Sequence, residues 1–170
     1  MNHIINPSVA RSFVISHLFH ASRERVWQAW SEREQLKQWF GPAGITISKA
    51  TLDFRPGGSF HFCMHTPDGR AMWGKFAYRE IRANQRILWI NSFSDEAGGL
   101  ARHPAKDRWP LELLTTITLT EAGEYTKLTV EWLPYNASEE ECQTFEASRD
   151  SMQQGWSGTF GRLTGHLASR

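Results

Sequence analysis

The sequence predicts an α+β fold in which a curved antiparallel sheet packs on one long C-terminal helix. Three observations lead there. Short alternating runs rich in Val, Ile, Thr and aromatic residues recur between Pro-Gly turn signals, as strands of an antiparallel sheet do. Two short helical patterns separate the first of these runs from the rest. The last third ends in a capped stretch with an apolar stripe at helical spacing. The predicted order is one strand, two helices, six strands and a final helix.

Residues 11–20 alternate Phe13, Ile15, His17 and Phe19 with Val14, Ser16 and Leu18, the period of a strand covered on one face. Ser22 is an N-cap for a helix carrying Val26, Trp27, Ala29 and Trp30 on one side. Residues 32–40 continue as a second short helix with Leu36, Trp39 and Phe40, and Gly41-Pro42 ends it, because proline cannot extend a helix. Strands are predicted over 45–54, 59–66, 70–81 and 86–93. Pro56-Gly57-Gly58 and Pro67-Asp68-Gly69 separate the first three; proline presets φ and glycine admits the positive φ of a tight reversal. A polar stretch over 94–108, with Gly98-Gly99 and Pro104, is long enough for either a surface loop or a lid.

Strands over 111–120 and 125–133 form a last hairpin about Glu121-Ala122-Gly123-Glu124. Ser138 and Glu141 have capping-box spacing, in which hydroxyl and carboxylate each accept from the other's backbone amide. From there Phe145, Met152, Trp156, Phe160, Leu163 and Leu167 form one apolar stripe on what is predicted to be the longest element. Gly155, Gly158, Gly161 and Gly165 lie inside that helix at a cost of about 1 kcal/mol each relative to alanine. Close approach of a neighbour, or a bend that follows a curved sheet, would offset that cost.

A chain of 170 residues fits one domain, with its core over about 11–168, and can bury roughly two-thirds of its unfolded surface without a staple. Lys plus Arg number 19 against 18 Asp plus Glu, with no long run of one sign, so the charge balance predicts neither nucleic acid nor anionic lipid as a partner. Cys63 and Cys142 do not make a disulfide framework, residues 1–11 lack an apolar leader region, and no stretch approaches the length of a membrane span. The expectation is a cytoplasmic protein. Eight Trp and ten Phe are a heavy aromatic load, suited to a large core, a ligand pocket or both.

Catalytic signals are sparse. His61, Cys63 and His65 alternate on one strand about 7 Å apart, a spacing from which side chains can converge on a metal. Phe60, Phe62 and Met64 form the more apolar face of that strand, which turns the His-Cys-His set outward, so no metal is assigned. Asp53 and Arg55 are read as pinning the adjacent turn. Glu112 and Glu131 would serve as general acid or base only if their side chains entered an apolar pocket, and alternation leaves their face open. No phosphate-binding glycine loop or nucleophile elbow is present, and no catalytic residue or cofactor is assigned.

The run from Ser22 to Trp30, Leu36 with Trp39-Phe40-Gly41-Pro42, and Leu52 through Gly58 carry a resemblance. Pro67-Asp68-Gly69, Gly74-Lys75-Phe76 and Gly155-Trp156 with Leu163 and Leu167 complete it. In this order they resemble the helix-grip fold of the START-related, birch-pollen-allergen-like (SRPBCC) superfamily, and its branch named for the activator of heat-shock protein 90 ATPase. The resemblance covers nearly the whole chain. It implies a deep cavity between sheet and long helix but no shared reaction. The expected function is binding of a small hydrophobic molecule, with Trp39, Phe40, Phe62, Met64, Trp73, Phe76, Trp89, Phe93, Met152, Trp156 and Phe160 as cavity walls. Two alternatives are a cyclase, dehydratase or hydrolase acting on a hydrophobic substrate, and a chaperone-associated or stress-response interaction module. Homodimerisation through a sheet edge stays open.

Overall fold

Strand alternation decides which side chains meet the helices. In β1 (Phe13–Phe19) the two terminal phenylalanines are buried, whereas Val14 and Leu18 point away and are 54% exposed. The same segregation runs through β2 (Thr46–Leu52), β3 (Ser59–His65), β4 (Ala71–Arg82), β5 (Arg86–Ser94), β7 (Glu112–Ala122) and β8 (Tyr125–Tyr135). A two-residue strand, β6 (Leu100–Ala101), lies between β5 and β7 in the chain. All pairings are antiparallel, in the order β1-β8-β7-β5-β4-β3-β2, with β6 added to the end of β5. The computed structural model describes residues 11–169, so residues 1–10, read above for a leader region, lie outside the described residues.

Two register shifts bend the sheet: one between Ile47 and Lys49 on β2, the other between Tyr78 and Glu80 on β4. Each extra residue kinks its strand and increases local twist. The extra residues are Ser48 and Arg79. Gly57, at φ +84°, supplies the reversal before β3, as Gly69 does at φ +89° before β4.

The concave face holds the helices. Ser22 caps α1 (Arg23–Ser31), its hydroxyl accepting from Arg25 N at 3.2 Å. Glu32 separates it from α2 (Arg33–Trp39), whose Trp39 meets Trp30 edge-on at 4.7 Å and donates its indole N–H to Ala29 O at 2.9 Å. The capping box at Ser138 forms with both bonds in place and opens α3 (Glu139–Ala147).

The C-terminal helical region differs from the expectation in one respect. It breaks at Ser148, whose backbone N–H reaches back to Phe145 O, while its hydroxyl donates to Thr144 O at 2.7 Å. A side chain that bonds the preceding turn in this way loosens and bends a helix. A separate α4 (Arg149–Ala168) then crosses the sheet. The bend thus lies at a serine rather than among the glycines. Nor does close approach demand them: a Cβ at Gly158 would stand 3.4 Å from Ala43 N, an ordinary contact, and at Gly155, Gly161 and Gly165 nothing lies within 4 Å. No helix among the described residues is long and apolar enough to cross a membrane.

Candidate functional site

Between α4 and the β3–β4–β5 half of the sheet lies a cavity of about 380 Å³, within the roughly 300–1,000 Å³ common for small-molecule sites. Its floor comes from alternate residues of neighbouring strands: Phe62 and Met64 on β3, Met72, Gly74 and Phe76 on β4, Asn91 and Phe93 on β5, Leu113 on β7 and Trp132 on β8. Its roof is one face of α4 with Ser148, Ser151, Met152, Gly155, Trp156 and Thr159, spaced three and four apart as a single helical face requires. Phe40 through Pro42 and Ile45 close one side. The space persists partly because two glycines face it or its floor. Gly74 sits opposite Phe62, whose ring covers it so closely that a Cβ would lie 2.7 Å away, and a Cβ on Gly155 would meet nothing within 4 Å.

The remaining side is the polar stretch after β5. Asp95 N donates to Gly99 O at 3.0 Å, Asp95 O accepts from Gly98 N at 3.1 Å, and the Asp95 carboxylate accepts from Gly99 N at 2.8 Å, making a tight turn that returns the chain as β6. Beyond β6 the segment is tied to α3. Arg102 donates to the Glu141 carboxylate at 2.7 Å, Leu111 N donates to the same oxygen at 3.1 Å, and Arg108 pairs with Glu140. These ties present His103, Lys106, Trp109, Pro110 and Leu111 to the cavity. Exposed Lys106, Ser151 and Pro42 form its rim.

His103 has a defined protonation state. Its Nδ1 accepts from the backbone amides of Ala105 and Lys106, at 2.9 and 3.0 Å, so the ring hydrogen sits on Nε2. Burial, helped by the neighbouring Lys106 charge, holds its pKa below the ordinary histidine value and keeps it neutral. Asn91 Oδ1 accepts from the buried Thr115 hydroxyl, leaving its Nδ2 hydrogens for other acceptors.

Seven of the eleven residues read as walls line the cavity: Phe40, Phe62, Met64, Phe76, Phe93, Met152 and Trp156. The other four lie elsewhere, each for a plain reason. Trp73 is out of phase with Gly74 and Phe76, so it stands on the opposite face, stacked on His61 at 4.7 Å. Trp89 shares the inner face but lies beneath Phe76, ring on ring at 4.3 Å. Trp39 is enclosed by α1, and Phe160 packs one turn along α4 against Phe19 and His17.

The other candidate groups are engaged outside the cavity. Neither Glu112 nor Glu131 lines it, and the inward residues Leu113, Thr115, Val130 and Trp132 place both carboxylates on the outer face. His61 Nε2 lies 3.0 Å from Asp95 O and His65 Nε2 lies 2.7 Å from Ser48 Oγ, so the two rings serve different local bonds. Among the described residues no cluster of His, Cys, Asp or Glu could hold a metal ion. Asp53 and Arg55 pair with each other beside their turn, in line with the expectation. The lining residues Met72, Gly74, Asn91 and Trp132 are absent from the predicted walls, although parity with Phe76 and Phe93 reaches those on β4 and β5. Also absent are His103, Lys106 and Trp109, which belong to a stretch without periodicity.

Comparison with known proteins agrees with this architecture. The family model described as Activator of Hsp90 ATPase homolog 1-like protein matches residues 20–168. No curated protein matches the chain. A protein from Arthrobacter aurescens, solved by NMR, is 25% identical with a TM-score of 0.76, over 100% of this chain and 94% of that one. A crystal structure from Nitrosomonas europaea is 21% identical with a TM-score of 0.75, over 95% and 96% of the two chains. An AHSA1 protein from Silicibacter pomeroyi is 17% identical with a TM-score of 0.68, over 92% and 97%.

Proposed function

The chain belongs to the Activator of Hsp90 ATPase homolog 1-like family of the helix-grip fold, and from that premise and the shape of its cavity we propose that it binds a small hydrophobic molecule between sheet and α4. The observation that carries this reading is the preserved space itself. A domain interior is normally filled to crystal-like density, and here aromatic and methionine side chains surround a volume of about 380 Å³ without entering it. Gly155 is the sharpest instance. A helix-destabilising residue stands on the cavity wall where an added Cβ would meet nothing within 4 Å.

Binding is favoured over catalysis by the polar groups of the lining. None of its described side chains is a carboxylate, and His103 uses its basic nitrogen on two backbone amides, so it offers the cavity a donor rather than a base. Buried, unpaired Cys63 and Cys142 fit a reducing, cytoplasmic setting.

The test is substitution of Gly155 by leucine. The variant gains helix propensity and fills the space, so thermal stability should hold or rise by a fraction of the ~1 kcal/mol a helical glycine costs. Tryptophan-fluorescence titration with a panel of lipids, aromatics and polyketides should show saturable quenching in the wild type and none in Gly155→Leu. Equal titration curves for the two proteins would remove the cavity from the explanation.

A further inference from the structure

Building on the ligand-binding reading, we infer that the cavity takes an apolar carboxylic acid, its hydrocarbon body among the aromatic walls and its carboxylate at Lys106. Lys106 is the one lining side chain among the described residues that carries a charge at neutral pH. Three cations lie along the segment between β6 and β7, and two of them are spent: Arg102 on Glu141 and Arg108 on Glu140. Lys106 forms no ion pair with a described carboxylate. Its ammonium rests 3.4 Å from the Ser148 hydroxyl and 5.7 Å from the centroid of Trp109, contacts that hold it over the rim and leave its charge unneutralised.

Two other lining side chains offer the cavity hydrogens. His103 presents Nε2–H, because Nδ1 is occupied, and Asn91 presents its Nδ2 hydrogens, because Oδ1 accepts from Thr115. A carboxylate is acceptor-only, with two oxygens that can divide between an ammonium and an imidazole N–H. An amine head group would be repelled by Lys106, and an alcohol would bring no charge to pair with it. The apolar wall beside Lys106 lowers the local dielectric and strengthens attraction of an entering anion.

The test compares matched probes by calorimetric titration: octanoate against octanol, and cinnamate against cinnamyl alcohol. For at least one pair, the wild type should bind the acid about tenfold or more tightly than the alcohol, with the gap shrinking as salt is added. Lys106→Met should remove most of that gap and leave alcohol affinity unchanged, and Lys106→Arg should keep most of it. Equal binding of acid and alcohol, or equal losses of both in Lys106→Met, would overturn the carboxylate assignment and leave the ligand site standing. No binding by any of the four probes would also overturn it, the broader panel and Gly155→Leu then deciding whether the cavity binds anything.

Discussion

At position 58 any side chain would collide with backbone: a Cβ there would lie 2.1 Å from Asp53 O. The neighbour differs. Gly57 has φ +84° and nothing within 4 Å of its own Cβ, so it needs glycine for conformation and not for space. Gly57→Ala should therefore cost about 1–2 kcal/mol, the penalty of a left-handed residue. Gly58→Ala must displace the Asp53 carbonyl and should cost roughly 3 kcal/mol or more, with the two compared by urea denaturation. The tryptophans need a different account. Trp30, Trp89, Trp132 and Trp156 bury indole N–H groups with no hydrogen-bond partner among the described residues. Several meet neighbouring rings nearly edge to face, Trp132 with Trp156 at 74° and Trp89 with Tyr78 at 82°. That is the orientation in which an edge hydrogen lies against a π face, a weak substitute for a carbonyl.

Among the elements, α2 and α4 are joined by a buried hydrogen bond between Gln35 and His166, at 3.0 Å, and by Arg162, which no periodicity announces. The Arg162 guanidinium lies against the end of α2, donating to the carbonyls of Phe40, Gly41 and Pro42 at 3.2 Å and of Gln38 at 3.3 Å. A cation there satisfies orphan carbonyls and opposes the negative end of the helix. It also fixes the Phe40–Pro42 lip of the cavity. Arg162→Met should destabilise the fold by about 2–4 kcal/mol, and Arg162→Lys, which keeps the charge without the planar fork, by less; chemical denaturation separates them. What the sequence announces and what it hides divide along the same line. The succession of strands along the chain, both turns, the Ser22 cap and the Ser138 box are local chemistry, and the residues around each carry enough information to place it. Trp73 does not belong among the predicted walls, because its parity with Phe76 excludes it from the inner face, and strand alternation alone carries that rule. The break at Ser148, strand β6 and the positions of Arg162, His103 and Lys106 depend on contacts over long separations, and the sequence around them has no period to betray those contacts.

The whole molecule is closed by a single carboxylate. Glu141 accepts from Ser138 N with one oxygen, at 3.0 Å, and from Arg102 and Leu111 N with the other, at 2.7 and 3.1 Å. It therefore joins the start of α3 to the segment that carries His103 and Lys106 along the cavity. Burial alone would raise its pKa, but the hydrogen bonds from Ser138, Arg102 and Leu111 together hold it below the usual 4.5. A folded-state pKa below the unfolded one means that this carboxylate's contribution is complete above about pH 4.5 and is lost as pH falls through the folded value. In Glu141→Gln one end of the side chain becomes a donor, so either the Ser138 cap or the pair of bonds to Arg102 and Leu111 must break. At pH 7 the variant should be about 1–3 kcal/mol less stable than the wild type. Because glutamine does not titrate, the difference should narrow as pH falls below 4.5 and nearly vanish once Glu141 is protonated. Hydrogen exchange gives the spatial part of the test: the Leu111 amide should lose protection in the variant while amides in the middle of β7 and β8 keep theirs. A stability gap that stayed constant from pH 7 to pH 3 would mean that the charge on Glu141 contributes nothing to the fold, and a uniform loss of protection across the sheet would mean that Glu141 does not act locally on the rim.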